Sequence, residues 1–265
     1  MSFDAGAYWQ QRLQERTELA DVGYAGLGQP FNAWMYRVRR HVFRNALAPH
    51  RERIRTAFDI GSGSGFYIEQ WRALGVPEVR GSDLAPAAVE RLQRAFPDVP
   101  FVQLDIGETA DALPAVRADA ISAFDVTFHI VDDGRFEQAL RNVYELLEPG
   151  GIFVFSDNFV HGPEQRREHH VSRSASRIDA AVTGAGFKIV ARHPSFVLMN
   201  EPVDAPRALH RRAWSRLTRT LARRPALGQL IGALLYPAEL AALRLAGDDG
   251  PSTEVMVCRR PTAPG

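Results

Sequence analysis

The run Asp59-Ile60-Gly61-Ser62-Gly63-Ser64-Gly65 is the part of this 265-residue chain whose residue types and spacing speak first for chemistry. Glycines at alternate positions let a backbone take positive φ and approach a ligand closely. A helix behind such a turn offers unpaired N–H groups. Two readings of the turn fail. A P-loop needs Gly-Lys-Ser/Thr, and Gly65 is followed by Phe66-Tyr67. A dinucleotide fingerprint needs a third glycine where Phe66 stands. Further polar groups follow at Asp83, Asp105, Asp125, His129, Asp157, Asn158 and His161.

Elements of regular structure must bring these residues together. Short apolar runs at 56–60, 79–83, 101–105, 119–124 and 152–156 read as strands. Helical patterns at 66–74, 86–96 and 134–147 separate them, the last stopped by Pro149-Gly150-Gly151. Alternation of this kind implies a parallel sheet covered on both faces. Residues 1 to 52 read as helical, with a glycine-punctuated loop at 23–28 and a second helix opening at Pro30. Ser172 is placed to cap a helix running to Ala185. Residues 187–192 and 195–198 read as strands around a bulge at Pro194, residues 205–246 as helical, and Thr253–Cys258 as a last strand.

In this order and at this spacing, residues 55–160 resemble the class I S-adenosylmethionine-dependent methyltransferase family. The residues that carry the resemblance are the glycine turn opened by Asp59, Asp83 ending the second strand in Gly81-Ser82-Asp83-Leu84-Ala85, and Asp105 ending the third in Leu104-Asp105-Ile106. Ala123-Phe124-Asp125-Val126-Thr127-Phe128-His129 is similar to the family's segment after strand 4, and Leu147-Glu148-Pro149-Gly150-Gly151 to its turn before strand 5. The resemblance implies an α/β, doubly wound, seven-stranded sheet whose last strand is antiparallel. It also implies a cofactor, S-adenosyl-L-methionine, held by Asp59, Gly61, Ser62, Gly63, Gly65, Asp83, Leu84, Asp105, Ile106 and Phe124. Asp83 would take the ribose hydroxyls in charge-assisted bonds, and Asp105 with the Ile106 N–H would face the adenine. The domain plan expected is a helical lid over 1–52, the cofactor-binding core over 53–204, a helical insertion over 205–250 and the last strand with its tail over 251–265.

Methyl transfer from a sulfonium is an in-line displacement, so the protein mainly aligns donor and acceptor. A hydroxyl acceptor also needs a base. Asp125, His129 and His161 are the catalytic candidates, each set against a plain loop role. Asp157, Asn158, Tyr24 and Trp34 are the substrate candidates, with Tyr8, Trp9 and Tyr36 further aromatics for a lid. Asp125, Asp157 and Asn158 together resemble the oxygen ligands of magnesium-dependent catechol and sugar O-methyltransferases, so magnesium is weighed as a second cofactor, although no metal ligand is assigned. His169-His170 reads as solvated. The expected acceptor is a small molecule, a hydroxyl of a sugar or specialised metabolite; C- or N-methylation, or cofactor binding without transfer, are the alternatives.

Composition narrows the partners. Formal net charge is +1, against general nucleic-acid binding. Asp125-Val126-Thr127-Phe128 lacks the prolines of amino-directed nucleic-acid methyltransferases, and the single cysteine, Cys258, falls in the last strand, away from a nucleophile's place. One cysteine, no leader pattern at Met1 and no apolar run of about 18 residues suit a cytoplasmic protein. Residues 205–246 carry eight arginines and one acid, Glu239, ahead of the apolar run Leu227–Tyr236, which is expected to stop at Pro237. That pattern fits a substrate-capping insertion, a homodimer contact, or a peripheral membrane or lipid-linked-substrate contact. Asp83→Ala is expected to weaken cofactor binding by roughly 1.5–3 kcal/mol, measured by calorimetry with S-adenosylmethionine and with NAD as the control ligand.

Overall fold

A computed structural model describes residues 24–205 and 208–262; Tyr8 and Trp9 lie outside the described residues. One seven-stranded sheet organises the chain, in the order β3-β2-β1-β4-β5-β9-β8. Its strands are β1 (Thr56–Ile60), β2 (Glu78–Asp83), β3 (Phe101–Gln103), β4 (Ala118–Ala123), β5 (Leu147–Asp157), β8 (Lys188–Pro194) and β9 (Glu254–Arg259). Strands β1 to β5 pair in parallel, and β9 runs antiparallel between β5 and β8. A separate hairpin joins β6 (Gln165–Arg167) to β7 (His170–Ser172).

The two-residue period of the strands builds two cores. Ala57, Ala120, Ile152, Val154, Val255 and Val257 face one side. There they meet α1 (Gly28–Leu47), α2 (Phe66–Ala73) and α3 (Pro86–Ala95), together with Trp214 and Leu221 of α6 (Ala208–Arg223). Phe58, Ile121, Phe153, Phe155, Met256 and Cys258 face the other side, against α4 (Asp133–Leu146) and α5 (Ala175–Gly184). Because both faces are covered, the interior strand β5 carries an unbroken apolar run, Ile152–Phe155, buried throughout. The first residues of β1 are tied to β4 by Asp119, whose carboxylate accepts from the Arg55 and Thr56 backbone N–H groups and the Thr56 hydroxyl at 2.8–3.1 Å.

Helix ends follow local chemistry. Asp132 caps α4 by accepting from the Arg135 N–H at 2.8 Å. Ser174 caps α5; Ser172, expected in that role, lies in β7. Pro86 opens α3 at its first turn. Helix α4 stops at Leu146, as expected from Pro149-Gly150-Gly151, but the turn expected there is part of β5, which starts at Leu147; the Gly150 N–H donates to the Arg260 carbonyl and the Arg260 N–H to the Gly151 carbonyl, so these residues extend the sheet. The bulge expected at Pro194 falls between Ile189 and Ala191. Residues 195–198 leave the sheet, and the apolar run after residue 227 does not stop at Pro237: α7 (Leu227–Leu245) passes through it.

Helix α7 lies alongside α1 at unusually close range. A Cβ at Gly228 would meet the Phe31 backbone nitrogen at 2.8 Å, and one at Gly232 the Trp34 ring at 2.2 Å. The glycine pair, four residues apart, therefore sets the spacing of the two helices. Glu239, fully buried in α7, accepts from the backbone N–H groups of Val197, Leu198 and Met199 at 2.6, 2.7 and 2.9 Å. These are the groups left without a strand partner when the chain leaves β8. Glu239→Ala leaves three N–H groups without that acceptor. It is expected to lower stability by about 3 kcal/mol, read from urea unfolding.

Candidate cofactor cleft and acceptor cavity

Asp59 ends β1 beneath the glycine turn. It is fully enclosed: Oδ1 accepts from the Ser122 hydroxyl at 2.5 Å, and that hydroxyl accepts from the Trp71 indole N–H at 2.8 Å. Asp59 Oδ2 is buried with no hydrogen-bond partner in the structure. Burial pushes the carboxyl up to about 7, against the pull of the Ser122 bond. The turn itself is held by Ser62 N–H to the Ser82 carbonyl at 2.8 Å and Gly65 N–H to the Ser62 carbonyl at 2.7 Å. Gly61 and Gly65 have φ of 69° and 84°, and a Cβ on either would lie 2.4 Å from Val126 or Phe96. Both the backbone conformation and the space demand glycine there.

Asp83 closes the opposite wall. Its carboxylate accepts from Gly63 N–H at 2.9 Å and Ala85 N–H at 3.0 Å, which fixes the turn to the end of β2. Burial raises its pKa, opposed by those backbone bonds. Leu84 beside it is half-buried. Asp105 lies after β3 and pairs with Arg135 of α4 at 2.7 Å, a partner the sequence does not announce. Ile106 is buried in the second core. Phe124 stacks on Tyr67 of α2 with centroids 4.1 Å apart. A turn without room for Cβ atoms and a buried carboxylate at each of two strand ends fit a nucleoside ligand.

Beyond the ends of β4, β5 and β9 lies a cavity of about 380 Å³. Asp125, His129, Asn158 and Thr253 line it from the sheet, Arg39 from α1, and Arg167 and His170 from the β6–β7 hairpin. Tyr24, Asn200 and Glu201 complete the wall, with the Tyr24 hydroxyl donating to Glu201 at 3.1 Å. Asp125 adopts φ 58°, a conformation Asp tolerates better than most side chains. It is ion-paired with Arg39 and bonded to the Ser156 hydroxyl, contacts that fix its orientation at the cavity wall.

His129 stands in the 3-10 turn after β4, its Nδ1 at 2.7 Å from the His169 carbonyl. A carbonyl only accepts, so Nδ1 carries a proton, and in the neutral tautomer of this ring the lone pair falls on Nε2. The turn is braced by fully buried Arg173, which donates to the Ile130 carbonyl at 2.6 Å and Asp133 at 3.0 Å. His170 was expected to be solvated; it is partly buried, its Nε2 2.9 Å from the Asn158 amide nitrogen and 3.2 Å from the Ser172 hydroxyl. Burial, then the neighbouring His129, lowers its pKa to about 4, so the ring is neutral at pH 7.

Other expected residues stand apart. Asp157 is buried behind the cavity, accepting from the Thr127 hydroxyl at 2.6 Å and the Asn158 N–H at 2.7 Å, and burial pushes it up to about 6. His161 is half-exposed against Asp204 at 2.7 Å and does not line the cavity. Trp34 bonds to Gln229 and packs on Tyr236 of α7, away from the cavity. Tyr36 is buried against Phe66. The magnesium reading loses its ligands: Asp125 is neutralised by Arg39, Asp157 is enclosed, and the Asn158 oxygen accepts from the Thr253 hydroxyl at 3.1 Å. Among the described residues no group of three or more His, Cys, Asp or Glu is placed to hold a metal.

Residues 57–151 match the model of a family described as a methyltransferase domain. No curated protein sequence matches the chain closely. Among solved structures it is similar to a putative sarcosine dimethylglycine methyltransferase from Galdieria sulphuraria, at 13% identity and TM-score 0.57, over 85% of this chain and 86% of that one. It is similar to the N-methyltransferase NodS from Bradyrhizobium japonicum, in complex with S-adenosyl-L-homocysteine, at 17% identity and TM-score 0.55, over 95% and 98%. A third, the O-methyltransferase segment of StiE, aligns at 15% identity and TM-score 0.53, over 85% and 75%.

The buried His170 has a consequence for stability. The folded chain keeps it neutral down to about pH 4, whereas the ordinary value is 6.5. Between those values the unfolded chain binds a proton the folded chain does not, so acidification costs stability at this residue. His170→Gln removes the cost: its stability relative to the parent chain is expected to rise as pH falls from 6.5 to 4, read from urea midpoints of the two proteins at each pH.

Proposed function

We propose that this chain, which carries a methyltransferase domain in the class I fold, transfers a methyl group from S-adenosylmethionine to a hydroxyl of a small molecule bound in the cavity beyond β4, β5 and β9. When bound, S-adenosylmethionine supplies an electrophilic methyl on a sulfonium. Asp83 would hold the ribose, and Asp105 with the Ile106 backbone the adenine. The glycine turn would receive the amino-acid end, with the buried Asp59 bracing the strand beneath it. Each of these groups stands at the carboxyl end of a strand, where open α/β sheets bind ligands.

The observation that carries the hydroxyl reading is the pinned His129. Its Nδ1–H donates to the His169 carbonyl, which fixes the orientation of a ring that lines the cavity. A neutral imidazole fixed in that tautomer can take the proton of an acceptor hydroxyl as it attacks. Asp125, held by Arg39, orients and balances charge at the cavity mouth. Neutral His170 with Asn158 offers a polar wall for further acceptor groups, and Tyr24 with Glu201 another. Cavity size suits a small metabolite; its sugar or specialised-metabolite character is part of the proposal.

The test is release of S-adenosylhomocysteine from S-adenosylmethionine in the presence of a metabolite extract. His129→Gln is expected to reduce turnover roughly a hundredfold while calorimetric binding of S-adenosylmethionine stays unchanged. Undiminished turnover in that variant would remove the base from the mechanism and favour an N- or C-acceptor.

A further inference from the structure

Helices α6 and α7 expose a surface that neither the cofactor cleft nor the cavity uses. On α7, Leu230, Leu234 and Leu245 are 59, 67 and 88% exposed. Ala233, Pro237, Ala238 and Ala241 are exposed between them. Spacings of three and four place these residues on one side of the helix, away from Gly228, Gly232 and Glu239, which are buried. No helix among the described residues is long and apolar enough to cross a membrane.

Exposed cations lie on α6, on the turn into α7 and on the helix packed beside α7. Arg212, Arg216, Arg219 and Arg223 are exposed on α6, and Arg224 on the turn into α7. Arg37, Arg40 and Arg44 are exposed on α1, the helix packed beside α7, and Arg244 closes its last turn. None of them is within ion-pair distance of a carboxylate among the described residues. The one acid within the two helices, Glu239, is buried on backbone N–H groups.

We propose that α6 and α7 dock the protein on the surface of a bilayer containing anionic lipid. The leucines of α7 would lie at the level of the headgroups and the arginines on lipid phosphates. Charge selects this occupant. A second copy related by a two-fold axis sets the same patch against itself, arginine facing arginine. A nucleic-acid backbone would satisfy the arginines and leave the leucines without an apolar partner. The docked face is also tied to the cavity: Trp214 of α6 packs edge-on against Tyr24, a cavity wall residue, with ring centroids 6.0 Å apart.

The experiment is co-sedimentation of the full chain with phosphatidylcholine vesicles, with and without phosphatidylglycerol. Pelleting is expected only with phosphatidylglycerol and should be reversed at about 0.5 M salt. Arg223→Gln and Arg224→Gln are each expected to reduce partitioning about fivefold, and the pair Leu230→Glu with Leu234→Glu to abolish it. Circular dichroism and S-adenosylmethionine binding, measured on each variant, distinguish lost docking from lost folding. The proposal is overturned if the parent chain stays in the supernatant at low salt. It is equally overturned if sedimentation velocity shows a dimer that Leu234→Glu dissociates, or if an RNA or DNA duplex binds and the leucine variants bind it unchanged.

Discussion

The reversal of strand order beside β1 is the constraint on which everything else rests. From β1 the chain builds outward to β2 and β3, then returns to start again at β4 on the other side. Helices α1 to α3 cover one face, with α6 and α7 packed on the same side, and α4 and α5 cover the other. The connections leaving β1 and β4 therefore part company above the sheet, and the gap between them is a crevice no side chain needs to carve. Asp59 sits at that divide, joined across it to Ser122 of β4. Its charge is expensive at such depth, which is why its titration is displaced to about 7.

Much of this architecture was legible because the strands obey a simple period and the turns use residues with few other uses. Gly61 and Gly65 stand where the structure has neither the φ nor the space for anything larger. The antiparallel last strand came from the resemblance, and the register Asp157 to Glu254 bears it out. Misreadings arose where local chemistry was overridden from afar. Pro149-Gly150-Gly151 does follow the end of α4 at Leu146, as read, but it forms no separate turn because its bonds to Arg260 draw it into the sheet. Pro237 looks like a helix end, yet the packing of α7 on α1 carries the helix through.

The cavity was less legible than the cleft for the same reason. The residues proposed to hold the cofactor lie at strand ends in a fixed order, so each is announced by its strand. The cavity wall is assembled from α1, a hairpin and a loop far apart in sequence. Arg39 sits in the middle of an amphipathic helix and looks like any surface arginine until Asp125 is placed beside it. His170 belongs to a three-residue strand amid charged neighbours, too short for its period to register. Asp157 and Trp34 had the right chemistry and the wrong direction: one is enclosed by Thr127, the other turned to α7.

Glu239 gives the insertion a reach beyond its own contacts. Its carboxylate grips residues 197–199, and the next two residues, Asn200 and Glu201, are cavity wall. Helix and wall thus behave as a lever with its fulcrum at a single side chain. Sliding or tilting α7 by a fraction of a turn would redraw the space offered to the acceptor without altering any residue that touches it. Under the proposed function, acceptor preference in such a scaffold can drift through mutations on the protein's outer surface, while the proposed donor cleft, anchored to the ends of β1 and β2, stays as it was.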